Sequence, residues 1–512
     1  FLGSGRPLTV RDFADYRRQL EDNYVMLDVA DRKVRILEQA TAVCAAKGLA
    51  LVDDDGLLDE VAGLAEWPTP ILGDMDPQFL DLPPEVVRLS MKVHQKYFAV
   101  RDPARDGLAP HFVVVANVEA TDGGKALAAG NSRVLSARLN DARFFWDEDR
   151  KVGFDAWLEK LKGVTFHAKL GTLAERVDRI AALAREIAPL VGADPDQAEG
   201  AARLAKADLA SGMVGEFPEL QGVMGGYYAR AEHGDAIADA IRDHYKPQGP
   251  GDTVPTAPLT VAVALADKLD TLVGFFAIDE KPTGSKDPFA LRRAALGVIR
   301  LVLENEVRIG VAAAASMAKA CNDRTSASWQ RLVDEGSLYG EVADFFADRL
   351  KVLLRDQGQR HDLVDAVFAL GDDDLVRIVR RVEALGAFLA TDDGANLLAG
   401  YKRASNILKA EARKGDVPTG MVQTGLPNQP DEETALAFAV GAAGTAVDAA
   451  LETEDFAAAM TALSRLRAPV DAFFDKVMVN SDVAAERDNR LKLLGQVRDV
   501  MGRVADFGQV TG

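Results

Sequence analysis

The chain has 512 residues, which at about 100–200 residues per domain predicts several domains. Its 60 basic and 79 acidic residues give a net charge of −19, which argues against a general nucleic-acid coat because such a coat needs a basic field. The two cysteines, Cys44 and Cys321, exclude a disulfide scaffold and a cysteine-based zinc site. No apolar run approaches the roughly 20 residues of a membrane span, and no signal peptide is recognisable.

The first part of the chain predicts a small α/β region. Apolar residues at helical spacing predict one long helix over 12–47 and a second over 53–64. Residues that favour extended structure predict strands over 90–100 and 111–118, joined as a hairpin through a turn that contains Asp, Gly and Pro. Helical spacing returns over 130–150.

The rest of the chain reads almost entirely as helix. The pair Asp287-Pro288 resembles a helix start, with Asp as the N-cap and Pro at the first helical position. The fold prediction is therefore a mainly α, multidomain protein, with domains over 1–155, 156–310 and 311–512. The predicted helices cover 173–190, 197–213, 235–245, 258–277, 288–305, 432–450, 455–466 and 469–508, with a loop over 415–431.

One group of residues indicates phosphohydrolase ancestry. The segment ALADKLDTL, residues 264–272, resembles the helix that supplies the last metal-binding Asp of HD-type phosphohydrolases, here Asp267. Asp208 follows an alanine where those enzymes place a histidine, and His167 is a candidate first ligand. Because a hydrolytic metal centre needs several converging ligands, the missing imidazole predicts a vestigial HD site without metal. Asp267 and Asp270 are then expected to cap a helix or to pair with cations such as Lys268.

Two basic clusters in the second half suit RNA. Residues 398–416 carry five cations against two acids, beside an aromatic ring. Cations next to an aromatic ring suit single-stranded RNA, whose phosphates bind Lys and Arg while unstacked bases lie on rings. A solvated helix face is the alternative interpretation. The candidate tRNA-binding residues of the two clusters are Tyr401, Lys402, Arg403, Lys409, Lys476, Arg487 and Arg490.

Long stretches of the chain resemble one protein family. They occur in order from about residue 91 and include GNSRVLSARLNDARFFWDEDRK, KADLASGMVGEFPELQGVMGGYYA, KDPFALRRAALGVIR and KRASNIL. In these stretches the chain is similar to the β subunits of bacterial heterotetrameric glycine–tRNA ligases. Those subunits are longer at the N-terminus, and this chain starts at Phe1 without Met, so an N-terminal truncation is expected.

The resemblance implies a division of labour. The family's α subunit activates glycine with ATP and Mg²⁺, and its β subunit holds tRNA(Gly) in a cytoplasmic α2β2 tetramer. It also implies an HD-like middle domain and a C-terminal DALR-type anticodon-binding bundle. No catalytic residue, metal or cofactor is expected in this chain, and neither DNA nor a membrane is an expected partner. Two alternatives stay open: an active HD-type metal-dependent phosphohydrolase, and a helical scaffold without an RNA role.

Overall fold

The structure is a computed structural model that describes residues 7–325 and 335–511. The chain divides into two compact units. Unit 1 comprises residues 1–164 and 204–242, and unit 2 comprises residues 165–203 and 243–512. The structure is 65% helical, with a small sheet near its N-terminus, which confirms the mainly α fold. The three predicted domain ranges stay a prediction.

The helices carry most of the described chain. In chain order they begin with α1 (Phe13–Glu21), α2 (Val29–Ala45), α3 (Asp55–Leu64), α4 (Pro84–Leu89), α5 (Lys125–Val152), α6 (Phe154–Leu161), α7 (Leu173–Val191), α8 (Pro195–Leu204), α9 (Gly212–Glu216), α10 (Val223–His233) and α11 (Asp235–Asp243). They continue with α12 (Pro258–Ala277), α13 (Leu291–Glu304), α14 (Val311–Thr325), α15 (Glu335–Asp356), α16 (His361–Phe368), α17 (Leu375–Leu389), α18 (Asp392–Ala412), α19 (Asp431–Glu452), α20 (Phe456–Ser464), α21 (Arg467–Lys476) and α22 (Ala484–Gly502).

Unit 1 is built on a four-stranded antiparallel sheet in the order β1-β3-β4-β2. Because side chains alternate across a strand, the sheet buries two faces. Phe98 and Val113 pack with α2 and α3 on one face, and Phe112 packs with α5 on the other. The strands are β1 (Ala50–Leu51), β2 (Thr69–Asp74), β3 (Phe98–Arg101) and β4 (Leu108–Ala116).

The predicted hairpin is confirmed by β3 and β4, but two neighbouring predictions are wrong. Residues Ser90–His94 form a π-helical turn, so the strand predicted over 90–100 begins only at Phe98. The chain also forms β2, in a proline-containing stretch for which the sequence predicts no strand. Pro70 is tolerated there because β2 lies at the edge of the sheet.

The prediction of one long helix over 12–47 is also wrong, since a non-helical segment separates α1 from α2. Tyr24 adopts a left-handed φ of 62°, and the Met26 N–H donates to the carbonyl oxygen of Glu66 at 2.8 Å. The Asp28 carboxylate then caps α2 by accepting from Ala30 N–H. The apolar residues keep their helical spacing across this segment, so their pattern did not reveal where α1 ends.

Three further predicted helices also have boundaries that differ from the prediction. The Asp287 carboxylate accepts from the N–H groups of Leu291 and Arg292, but α13 begins at Leu291 rather than at Pro288. The helix predicted over 469–508 is two helices, α21 and α22, separated by an extended segment. The helix predicted over 197–213 ends with α8, and a 3₁₀ turn and α9 follow.

Unit 2 begins with a two-stranded ladder of β5 (Thr165–His167) and β6 (Gly171–Thr172), followed by α7. Helix α12 is buried along nearly its whole length and packs against α7. Thr172 caps α7 with a reciprocal bond to Glu175, the capping-box arrangement. Of the predicted HD residues of unit 2, His167 lies on β5 and Asp267 lies on α12.

The last part of unit 2 is a helical bundle of α18 to α22. Helix α18 packs against α21 and α22, and α19 packs against α20, α21 and α22. By length and composition alone α19 could also cross a membrane, which the sequence analysis did not anticipate. Its acidic residues Glu432, Glu433 and Asp448 instead pair with cations of the same bundle, and a single helix of this kind is weak evidence for a membrane.

Candidate nucleic-acid interface

One face of α18 carries an unpaired row of cations. Lys402, Lys409 and Arg413 are seven and four residues apart, so they lie within a narrow arc of the helix. Lys409 and Arg413 are exposed and Lys402 is half-buried. None of the three forms an ion pair with another described residue. Their positive charges are therefore available to an external polyanion.

Helix α22 lies antiparallel to α18. Arg487, near the start of α22, lies close enough to Glu411, near the end of α18, for its charge to lower the pKa of that carboxyl together with Lys414, the larger cause. At the other end, the ring of Tyr401 packs 5.6 Å from that of Phe507, which follows α22. Arg487 is exposed, and within the described ranges it has no ion-pair partner.

A groove of about 260 Å³ runs between the two helices and the loop at 417–420, and is called here the α18–α22 groove. The loop is fixed to α22, because Gln496 Nε2 donates to the Gly420 oxygen at 3.2 Å and Asn489 exchanges two hydrogen bonds with the Gln423 backbone. The lining residues are Leu408, Lys409, Ala412, Val417, Pro418, Thr419, Gly420, Lys492, Gly495, Gln496, Arg498 and Asp499.

Two predicted contact residues are buried. Tyr401 is 6% exposed, and burial raises its phenol pKa. Arg490 is 5% exposed; its Nε donates to Glu433 Oε2 at 2.8 Å and its Nη1 donates to the Met478 oxygen at 2.9 Å. Burial argues against direct RNA contact by either side chain, because the ring and the guanidinium are already occupied inside the bundle. The predicted contact of Tyr401 and Arg490 with tRNA stays a prediction.

The other predicted residues lie at the surface. Arg403 lies over the ring of Phe474, with 4.4 Å between the guanidinium carbon and the ring centre. Lys476 pairs with Glu432 at 2.8 Å, a bond that raises the lysine pKa and lowers the glutamate pKa. The structure thus brings Lys402 and Lys409 onto one helix face, whereas Lys476 has a partner on α19. Lys492 belongs to the second basic cluster, over residues 473–494, but is not among the candidate tRNA-binding residues, and Arg498 lies beyond that cluster on α22.

Asp267, the predicted HD carboxylate of unit 2, and the nearby Asp270 both have cationic partners. Arg176 Nη2 donates to Asp267 Oδ1 at 2.8 Å. Arg179, 1% exposed, donates to both oxygens of Asp270 at 2.8 and 3.2 Å. Lys268 Nζ donates to the Tyr245 carbonyl oxygen at 2.9 Å, and burial lowers its pKa to about 8, although the negative charge of Asp267 partly opposes this fall.

The other two HD residues are also engaged. His167 Nδ1 accepts from Lys169 N–H at 3.2 Å, and the imidazole ring packs against the rings of Phe275 and Phe289. Asp208 belongs to unit 1, where its Oδ2 accepts from the N–H groups of Gly222 and Gly225 at 2.6 and 3.0 Å. Among the residues that the structure describes, no group of three or more His, Cys, Asp or Glu side chains could hold a metal ion.

Comparison with known proteins assigns both halves of the chain. Residues 1–369 match the family model for the glycyl-tRNA synthetase beta subunit, and residues 397–506 match the DALR anticodon binding domain. The second match contains the α18–α22 groove and both basic clusters.

Relatives named "glycine--tRNA ligase beta subunit" align along the chain. The protein of Phenylobacterium zucineum (strain HLK1) is 64% identical over 100% of this chain and 74% of its own length. The protein of Ruegeria sp. (strain TM1040) is 54% identical over 100% of this chain and 73% of its own length. The protein of Rhodospirillum centenum (strain ATCC 51521 / SW) is 52% identical over 99% of this chain and 70% of its own length. With this identity and coverage, and with the family match over most of its residues, the chain belongs to the glycyl-tRNA synthetase beta subunit family.

Proposed function

We propose that this chain holds tRNA(Gly) during ATP-dependent attachment of glycine, while a separate α subunit activates the amino acid. The two subunits would form a cytoplasmic α2β2 tetramer. The observation that carries the proposal is the unpaired cationic face of α18, which lies inside the region that matches an anticodon-binding domain. The names of the relatives, each a beta subunit of a glycine–tRNA ligase, support the partnership.

The net charge of −19 does not oppose this proposal. Phosphates respond to nearby charges, because at physiological ionic strength the screening length is about 8 Å. An unpaired lysine can neutralise a phosphate and release its counterion, whereas a paired lysine such as Lys476 must first give up its carboxylate. We therefore assign the main phosphate contacts to Lys402, Lys409 and Arg487, and add Arg413.

ATP and Mg²⁺ are placed on the α subunit in this proposal. Activation of an amino acid develops charge on transferring phosphoryl groups, which enzymes stabilise with metal ions and cationic clamps. The contribution of this chain would be positional, since correct placement of a bound substrate can supply several kcal/mol of the barrier reduction. No observation favours the phosphohydrolase alternative, because Asp267 is paired with Arg176 and the nearby Asp270 with Arg179.

The test replaces two cations of the α18 face, Lys402→Ala with Lys409→Ala. Each lost phosphate contact is expected to lower the salt slope of tRNA(Gly) binding by roughly one unit, so the double variant should lose about two. When the chain is mixed with a glycine-activating α subunit, glycylation should depend on this chain, and the double variant should raise the KM for tRNA. Binding is measured at several salt concentrations, and glycylation with labelled glycine.

Arg465→Ala is the matched control for this test. Arg465 is an exposed cation between α20 and α21 and is not part of α18. Its removal changes the net charge in the same direction but is expected to leave the salt slope unchanged. Equal slopes for the wild type and the double variant would refute the assignment of Lys402 and Lys409. Glycylation by the α subunit without this chain would refute the function.

A further inference from the structure

We propose that the α18–α22 groove holds one unstacked nucleobase that carries an exocyclic amino group, and so selects cytosine, adenine or guanine over uracil. This inference rests on the proposed function, because it assumes that RNA reaches this bundle. It goes further by giving the groove a ligand class and by naming the side chains that read the base.

The size and lining of the groove suit a planar base, and its lysines suit the phosphates on either side of that base. Its volume of about 260 Å³ lies just under the roughly 300–1,000 Å³ of pockets for drug-sized ligands, which suits a smaller planar group. Leu408, Val417 and Pro418 supply apolar surface for the face of a base. Lys409 and Lys492 stand at the groove without an ion-pair partner among the described residues, so they can bind the flanking phosphates.

Beside these cations, two side chains that line the groove offer hydrogen-bond acceptors. Asp499 offers a carboxylate whose Oδ1 forms an ion pair with Nη2 of the adjacent Arg498 at 3.2 Å. Gln496 commits its Nε2 to the Gly420 oxygen, and its Oε1 accepts no hydrogen bond from a described residue. Acceptors of this kind pair with amino groups, as Asp and Glu do with cytosine N4, whereas uracil has no exocyclic amino group to donate.

The groove is formed before any ligand binds. The wall at 417–420 is fastened through Gln496, and the following residues are fastened through Asn489, which is 4% exposed and also donates to Glu433 at 2.8 Å. A preformed site avoids the ordering cost that a mobile loop would add to binding. Discrimination between bases can then appear directly as a difference in affinity.

Gly495 provides a way to fill the groove without removing a charge. A side chain added at Gly495 meets no atom within 4 Å, so Gly495→Leu would project into the open space. Gly441 is a matched control, because it lies inside α19 in the same bundle and an added side chain there also meets no atom within 4 Å. Both substitutions favour the helix, so the folded bundle is expected to persist.

The experiment measures the affinity of the 512-residue chain for oligocytidine and oligouridine hexamers by fluorescence anisotropy. The wild type should bind oligocytidine about tenfold more tightly. Gly495→Leu should weaken oligocytidine binding about tenfold and Gly441→Leu should not. Asp499→Asn should reduce the preference to about twofold, because the amide both accepts and donates. Thermal unfolding of each variant verifies that the bundle is folded.

Three outcomes would overturn the groove assignment: equal affinity of the wild type for the two hexamers, equal behaviour of Gly495→Leu and Gly441→Leu, or no hexamer binding by a chain that binds whole tRNA. The salt slope of tRNA binding with Lys402→Ala and Lys409→Ala is measured in parallel. If that slope falls while the groove variants have no effect, the proposed function stands and the groove does not. If whole tRNA fails to bind, the proposed function itself fails.

Discussion

Asp208 is a buried carboxylate of unit 1 that organises a glycine-rich turn. Its Oδ2 accepts from Gly222 and Gly225 N–H at the start of α10, and its Oδ1 has no hydrogen-bond partner among the described residues. Burial raises its pKa to about 6, while the two N–H groups and the charge of Lys206 partly oppose the rise. The glycines are needed, because a Cβ at Gly225 would lie 2.7 Å from Ile241.

The raised pKa predicts a pH-dependent difference between the wild type and Asp208→Asn. The folded state holds the proton more tightly than the unfolded state, so the wild type loses stability relative to the variant as pH rises from about 4 to about 6. The loss should approach about 3 kcal/mol above pH 6. Urea unfolding from pH 4 to 8 measures it. Asp141→Asn, at an exposed position of α5, is the control, and parallel curves for wild type and Asp208→Asn would contradict the assignment.

At the scale of elements, α7 and α12 are joined by a buried ion pair. Arg179 grips Asp270 with two nitrogens and donates a third bond to the Leu170 oxygen at 3.0 Å. An intact buried ion pair stabilises the fold little more than apolar packing would. Removing one partner is costly, because it leaves the other charge buried and unpaired. On the same two helices, Arg176 pairs with Asp267, the carboxylate that an HD-type enzyme would direct at a metal.

Replacing Arg179 by alanine should therefore destabilise the chain by about 3–5 kcal/mol. Arg185→Ala is the matched control on the same helix, because Arg185 pairs with Asp196 and Glu199 at the surface, where solvent screens such pairs and they contribute little to stability. Chemical unfolding of the two variants gives the comparison. Similar losses for both would mean that the Arg179–Asp270 pair is not buried as described.

At the scale of the whole chain, the last residues return from the DALR-like bundle to α16. Asp362 Oδ2 accepts from the Thr511 N–H at 2.8 Å and from its hydroxyl at 2.7 Å, and Arg360 pairs with the same carboxylate. Phe507 and Val510 are buried beside them. The bundle that carries the cationic face is thus tied to the helices before it, which limits how freely that face can move.

Asp362→Ala should release this tie. It leaves the Thr511 N–H, the Thr511 hydroxyl and the Arg360 guanidinium without their acceptor, so stability should fall by about 1–3 kcal/mol. Hydrogen exchange should rise in residues 506–511 and in α16 and stay unchanged in α5. The bonds from Arg360 and Thr511 also hold the pKa of Asp362 well below its usual range, so the contribution is present at neutral pH and is lost as pH falls. Unchanged exchange at 506–511 would show that the tail is held by other contacts.

The sequence by itself determined the family, the mainly α fold and the place of most helices. Long in-order blocks carried the resemblance, and helical spacing predicted α3, α5, α7, α12 and α19 because each buries one face or more. No helix was predicted over α18, but the seven-residue spacing of Lys402 and Lys409 is a sequence feature that places them on one face of any helix there.

Only the tertiary structure decided which charged groups are available. Arg490 and Lys409 look equivalent in sequence, yet Arg490 is buried against Glu433, 57 residues away, while Lys409 stays exposed. The partners of Asp267 and Asp270 lie 91 residues away on α7. Pairings between distant residues depend on how helices pack, and local spacing carries no record of that packing, so the α18–α22 groove could be seen only once the helices were assembled.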